Sequence, residues 1–276
     1  MNARSIMREL RASWAFIERN FNLTKRYWKW EVVFLVYTVA NSVTMGFIGK
    51  GVESFSGTTL DTSYLILYML LGSILWGYLS ILFEIVAETV AWERWEETIE
   101  YTFMAPIHRA NHLLSVCVYA ILYGIIRSGL ILFAVAFFFD LSLSSANLLS
   151  AAGILSVASF SFVGLGITAA ILPLISPEKG VQVVHIFQAL LLMFSGVYYE
   201  IDVLPYWMQV VARFSPATYA LKGMRAAILE GQPFLSLWNQ IWPLMLLGSA
   251  LLPMGMITFG RMEIWAKTKG VLKRSG

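Results

Sequence analysis

The sequence predicts an all-α integral membrane protein, and three observations carry that prediction. Hydrophobic residues fill 58% of the 276 positions and charged residues 13%, about half the roughly 25% that clothes a soluble domain. Six apolar stretches are each about long enough to cross ~30 Å of hydrocarbon, which takes roughly 20 residues of helix. Only helices or closed barrels satisfy their backbone groups at that depth. The Lys and Arg between these stretches fall almost entirely into alternate loops.

At the N-terminus, Arg4, Arg8 and Arg11 precede no unbroken apolar core, so a cleaved secretory signal is not expected. Ile6, Leu10, Trp14, Ile17 and Phe21 recur at helical spacing while Arg8, Arg11, Glu18 and Arg19 take the other faces. That is the pattern of a helix lying in the membrane interface over residues 1–30; a short soluble tail is the alternative. Lys25 to Trp30 alternate cations with aromatics and suit headgroup level.

Spans are then predicted at 31–49, 63–90, 111–139, 148–175, 181–199 and 236–259. The second is long and carries Glu84 and Glu88 on one face near its end, spaced one helical turn apart. The third carries Arg127 beyond mid-bilayer, at a depth that makes a direct pair with those acids improbable. The fourth holds Ser156, Ser159, Ser161, Gly164, Gly166, Ala169 and Ala170, small residues that let helices approach where lipid supplies no hydrophobic drive. Pro173, Ser176, Pro177 and Gly180 then predict a tight turn into the fifth span, with His185 just inside it. Cys117 is the single cysteine and reads as a small packed hydrophobe.

Fifteen of the twenty Lys and Arg lie in the N-terminal tail, the loops after the second and fourth spans, and the C-terminal tail; four lie in the opposite loops. The positive-inside rule therefore predicts both termini in the cytoplasm, in a multi-pass protein of the cell (inner or plasma) membrane. The net charge of +3 reads as orientation and contact with membrane lipids, and no nucleic-acid partner is expected.

Two segments outside the spans carry more information. The loop over 91–108 is acidic, aromatic-flanked and helical in character, and Pro106 should end or interrupt it. A short amphipathic helix of this kind suits a groove in a soluble partner, although a plain solvated loop fits the same residues. Within 200–235, Trp207, Val210, Val211 and Phe214 share a helical face, Ser215-Pro216 reads as an N-cap followed by proline at the first helical position, and Leu221, Met224 and Ile228 form a second stripe. These two short helices should dip into the outer half of the membrane or cap it from outside.

Taken in order, the interfacial helix, the six spans, the acidic loop closing on Ala105-Pro106, and the series Ser195-Gly196, Pro205, Trp207, Pro216, Tyr219, Arg225 and Gly231 resemble the type-2 ABC exporter permeases over essentially the whole chain. Ser195-Gly196-Val197 and Leu204-Pro205-x-Trp207 resemble the drug-export branch more than the polysaccharide branch. Glu93, Thr98, Glu100 and Pro106 stand where the family has its coupling segment, while Glu97 stands where many members have glycine, leaving the backbone shape there open.

The resemblance implies a single permease domain over 1–276 that pairs with a second copy or a sister permease. It implies an ABC ATP-binding subunit as partner, met by Glu93, Arg94, Glu96, Glu97, Thr98, Glu100 and Pro106. It also implies an export path for an amphiphilic drug-, lipid- or glycan-like cargo, with Tyr198, Tyr199, Pro205, Trp207 and Arg127 along the path or its gate. ATP and Mg would sit on the partner. The chain has no G-x-x-x-x-G-K-[ST] loop to cradle phosphates in that manner, and no cofactor, metal site or catalytic residue of its own is expected. The competing reading is a secondary transporter coupled to protons through Glu84, Glu88, Arg127 and His185. A membrane enzyme or assembly factor is weakest, because neither zinc-ligand spacing nor a nucleophile elbow is present.

Overall fold

The computed structural model describes residues 3–56, 62–104 and 109–272, and among these there is no strand. The helices in chain order are α1 (Ala3–Arg26), α2 (Trp28–Ser56), α3 (Thr62–Trp95), α4 (Ile99–Met104), α5 (Arg109–Phe138), α6 (Leu148–Ala169), α7 (Ile171–Ile175), α8 (Pro177–Ser195), α9 (Tyr206–Ala212), α10 (Pro216–Leu229) and α11 (Trp238–Thr268). Two 3₁₀ turns, Ile201–Val203 and Phe234–Leu237, precede α9 and α11.

Five helical stretches are long and apolar enough to cross a membrane: Trp28–Gly49, Tyr64–Trp95, Asn111–Phe138, Leu148–Ile175 and Phe234–Thr268. They coincide with the first, second, third, fourth and sixth expected spans. The expected fifth, 181–199, is helical through Ser195 within α8 but is not among the five. Its 19 residues include Glu178, Lys179, Gln182, His185 and Gln188, which dilute the apolar run.

α3 is the central element. Leu71, Tyr78, Leu82 and Phe83 along it are fully buried, and it packs against α2, α5, α6, α8 and α10. The small residues of α6 do what their size predicts. A Cβ at Gly164 would come within 2.5 Å of the Leu251 carbonyl carbon, and one at Gly255 within 2.5 Å of the Gly164 oxygen, so α6 and α11 touch backbone to backbone. Ser161 Oγ donates to the Leu244 carbonyl across the same seam at 2.9 Å, and the Ser159 and Tyr78 hydroxyls bond to each other between α6 and α3.

The expected turn after α6 is present. The helix breaks at Ala170, restarts as the short α7 around Pro173, and reverses through Ser176-Pro177, with Pro177 at the first turn of α8. Gly196 then ends α8 in the left-handed conformation, φ +66°, that favours glycine. Ser215 occupies the N-cap position of α10, but its hydroxyl does not cap the helix; it meets Ser195 Oγ at 3.1 Å instead. The α10 stripe Leu221, Met224 and Ile228 is about 2% exposed, buried within the chain against α6, α3 and α11.

One end of the bundle gathers α1, the end of α3, α4, the start of α5 and the end of α11. Asn111 Nδ2 donates to the Glu9 carboxylate, and Arg94 donates to the backbone carbonyls of Val271, at 2.9 Å, and Leu272. α1 packs on α5 with one face and leaves Leu10 and Trp14 of its apolar stripe more than 60% exposed. At the other end the Asn147 amide donates to Ala227 at 2.9 Å, tying the α5–α6 connection to α10.

Candidate functional site

Three otherwise apolar helices each carry one polar stripe, and the stripes converge. On α2 it runs through Glu31, Thr38 and Asn41; on α3 through Ser73, Ser80, Glu84 and Glu88; on α5 through Tyr119, Tyr123 and Arg127. The spacing within each set, three, four or seven residues, places it on one helical face. Together with Tyr37, Trp76 and Tyr198 they line a cavity of about 620 Å³, within the ~300–1,000 Å³ typical of small-molecule sites.

Arg127 has the partners that sequence alone could not name. Its Nη1 donates to Tyr123 Oη at 3.1 Å, and its Nη2 to the Phe34 carbonyl at 3.0 Å and to Thr38 Oγ1 at 2.8 Å. Tyr123 in turn donates its hydroxyl proton to Glu31, so a charge-assisted chain joins α5 to α2. Arg127 shares the cavity with Glu84 and Glu88 and acts electrostatically on Glu84, but among the described residues it bonds to neither.

The segment expected to be helical in character is divided between two helices. Residues 91–95 continue α3, a turn follows, and α4 takes Ile99–Met104. Glu97 makes the turn with φ +57°, a left-handed conformation costing a side-chain-bearing residue roughly 1–2 kcal/mol relative to glycine. Glu93 faces inward and is 6% exposed, with its Oε1 3.0 Å from His112 Nε2 and 3.7 Å from Arg19 Nη2. Phe16 packs edge-on against the His112 ring, 4.8 Å between centroids. Glu93 therefore ties α3 to α1 and α5 rather than presenting its carboxylate to solvent. Glu96 and Glu97 are exposed, as are Trp92, Trp95, Tyr101 and Met104, the last two by about three-quarters. Thr98 is half-buried and its carbonyl accepts the Thr102 amide at 3.2 Å. Pro106 and the side chain of Glu100 lie outside the described residues.

A second cavity, of about 450 Å³, sits at the α10 end and is lined by Tyr68, Tyr199, Glu200, Asp202, Lys222 and Arg225 among others. The Arg225 guanidinium lies 3.4 Å from the Tyr68 ring centroid and donates to Tyr68 Oη at 2.8 Å and the Val197 carbonyl at 3.1 Å. Burial pushes its pKa down to about 10, which leaves it cationic at neutral pH.

The expected path residues thus divide. Arg127 and Tyr198 meet at the first cavity, while Tyr199 lines the second. Pro205 precedes α9 as its N-cap residue, and Trp207 is exposed, with its ring 6.2 Å from that of Phe194; neither lines either cavity. Sequence reasoning missed Glu31, Tyr123, Arg19 and His112. Tyr123 stands four residues before Arg127 on one helix, and that spacing was the available signal. The family model described as ABC-2 type transporter matches residues 11–229 of the chain. No curated protein matches it.

Proposed function

This chain belongs to the ABC-2 type transporter family, and from that premise we propose that it is the permease half of an ATP-driven exporter whose cargo enters the cavity between α2, α3 and α5. The family assignment makes it the transmembrane component of an ABC transporter and a multi-pass membrane protein, and it favours this reading over proton-coupled secondary transport. The observation that carries the mechanism is the continuity of α3. One helix bears Glu84 and Glu88 on the cavity wall and ends in the segment at Trp92–Trp95. From Glu88 to Trp95 is seven residues, or about 10 Å of helix, so a push at the segment moves the cavity wall as part of the same rod.

In this reading α8 is the sixth crossing, both termini are cytoplasmic, and α1 rests in the interface with Leu10 and Trp14 toward lipid. The exposed Trp92, Trp95, Tyr101 and Met104, with Glu96 and Glu97 at their rim, dock the ATP-binding subunit, which holds ATP and Mg. Glu93 and Arg94 position that segment from within, since their side chains bind His112 and the α11 tail carbonyls. A second copy or a sister permease completes the path, and α9 and α10 gate its outer mouth. The cargo is amphiphilic, drug-, lipid- or glycan-like.

The test is ATPase activity of the chain co-expressed with an ATP-binding subunit encoded beside it and reconstituted in liposomes. Tyr101→Ala with Met104→Ala should release the subunit, or leave it bound and insensitive to cargo. If no ATPase co-purifies with the wild-type chain, the reading fails.

A further inference from the structure

The first cavity carries an unbalanced charge. Its lining holds three carboxylates, Glu31, Glu84 and Glu88, against one cation, Arg127. Glu31 and Arg127 are joined through the Tyr123 hydroxyl, and they offset each other. Glu84 and Glu88 accept no hydrogen bond and form no ion pair among the described residues. Arg127 acts electrostatically on Glu84, and His185 on α8 acts on both acids, but neither bonds them; His185 stands outside the lining and its Nδ1 faces Gln188 Oε1 at 3.2 Å.

The sole cation is poorly placed to take an anion. Three of the five N–H groups of Arg127 are taken by Tyr123, Phe34 and Thr38, and its Nε is buried. Glu84 is partly buried and Glu88 exposed; carboxylates on an otherwise apolar spanning helix that no protein group satisfies are costly and mark sites where a ligand supplies the missing partner. Tyr37, Trp76 and Tyr198 on the same walls offer aromatic faces that attract a cation and cover its apolar body. Gly77 lies between them with open space where a Cβ would stand.

Resting on the reading of this cavity as the cargo path, we propose that it binds a lipophilic organic cation, with Glu84 and Glu88 as the charge-recognising pair. An anionic amphiphile would meet two free carboxylates and a guanidinium that already makes three hydrogen bonds. A zwitterion would find its ready partner at the ammonium end.

The experiment compares two probes of near-identical shape and opposite charge, radiolabelled tetraphenylphosphonium and tetraphenylborate. Binding is measured on the purified full-length chain in zwitterionic-lipid nanodiscs, with empty-disc uptake subtracted. Saturable binding of the phosphonium alone is expected. Glu84→Gln with Glu88→Gln should weaken it by about tenfold or more, the loss of a charge-assisted contact. Gly77→Leu, which fills the cavity without touching a charge, should weaken it as well. Equal saturable binding of both ions, preference for the borate, no saturable binding, or a phosphonium affinity unchanged in either variant would overturn the proposal. Binding is read without ATP or a partner subunit, so failure to couple to an ATPase would sink the exporter reading and leave this result standing.

Discussion

Glu93 on α3 and His112 on α5 meet at 3.0 Å inside the protein, each less than a tenth exposed. Arg19 of α1 reaches the same carboxylate, so three helices that enter the bundle separately are joined at one oxygen. Glu93→Ala leaves both partners without their acceptor, and a loss of about 1–3 kcal/mol in stability follows. Thermal denaturation of the purified protein should show a lowered Tm, and Glu93→Gln, which retains an acceptor oxygen, should lie between wild type and Ala.

Glu97 holds its turn at φ +57°. Glycine enters that conformation without the Cβ penalty, whereas a β-branched residue meets it in full. Glu97→Gly should keep the segment folded and any coupled ATPase active. Glu97→Val should cost about 1–2 kcal/mol and loosen the complex with the ATP-binding subunit, read as its faster loss during size-exclusion chromatography.

The α6–α11 seam has no room for a side chain at Gly164. Gly164→Leu must separate two backbones, and overpacking of this kind costs about 1–3 kcal/mol or more. Lowered yield of monodisperse protein and a lower Tm should result, with Gly164→Ala affected in the same direction.

The chain Glu31–Tyr123–Arg127 makes a coupling prediction. Tyr123→Phe removes the hydroxyl that links the two charges, at about 1–2 kcal/mol. Once it is gone, Glu31→Gln should cost less than it does in the wild-type background. A double-mutant cycle on thermal stability measures the difference, and strict additivity would show that the three groups act separately.

The bundle itself was legible because hydrocarbon thickness sets helix length, and the runs around Leu71, Ile131 and Ile154 satisfy that rule without help from tertiary structure. The α6 stripe was legible for a similar reason: small residues have no other purpose at helical spacing in lipid. Which side chains meet was not. Glu31 and Tyr123 lie 92 residues apart, and no periodicity joins them. Glu93 looked like a surface acid of a charged loop, and its inward direction depends on α3 continuing to Trp95 and on α1 folding back over α5. α8 shows the limit from the other side. Its pattern is helical, but its dilute hydropathy leaves its depth to what surrounds it.

Arg94 holds the segment that follows α11 by the carbonyl oxygens of Val271 and Leu272, not by their side chains. Such a contact is blind to residue identity. Substitutions at Val271 and Leu272 should leave it in place, whereas a truncation before them would remove the oxygens. What the contact requires is backbone at positions 271 and 272, whatever side chains it carries.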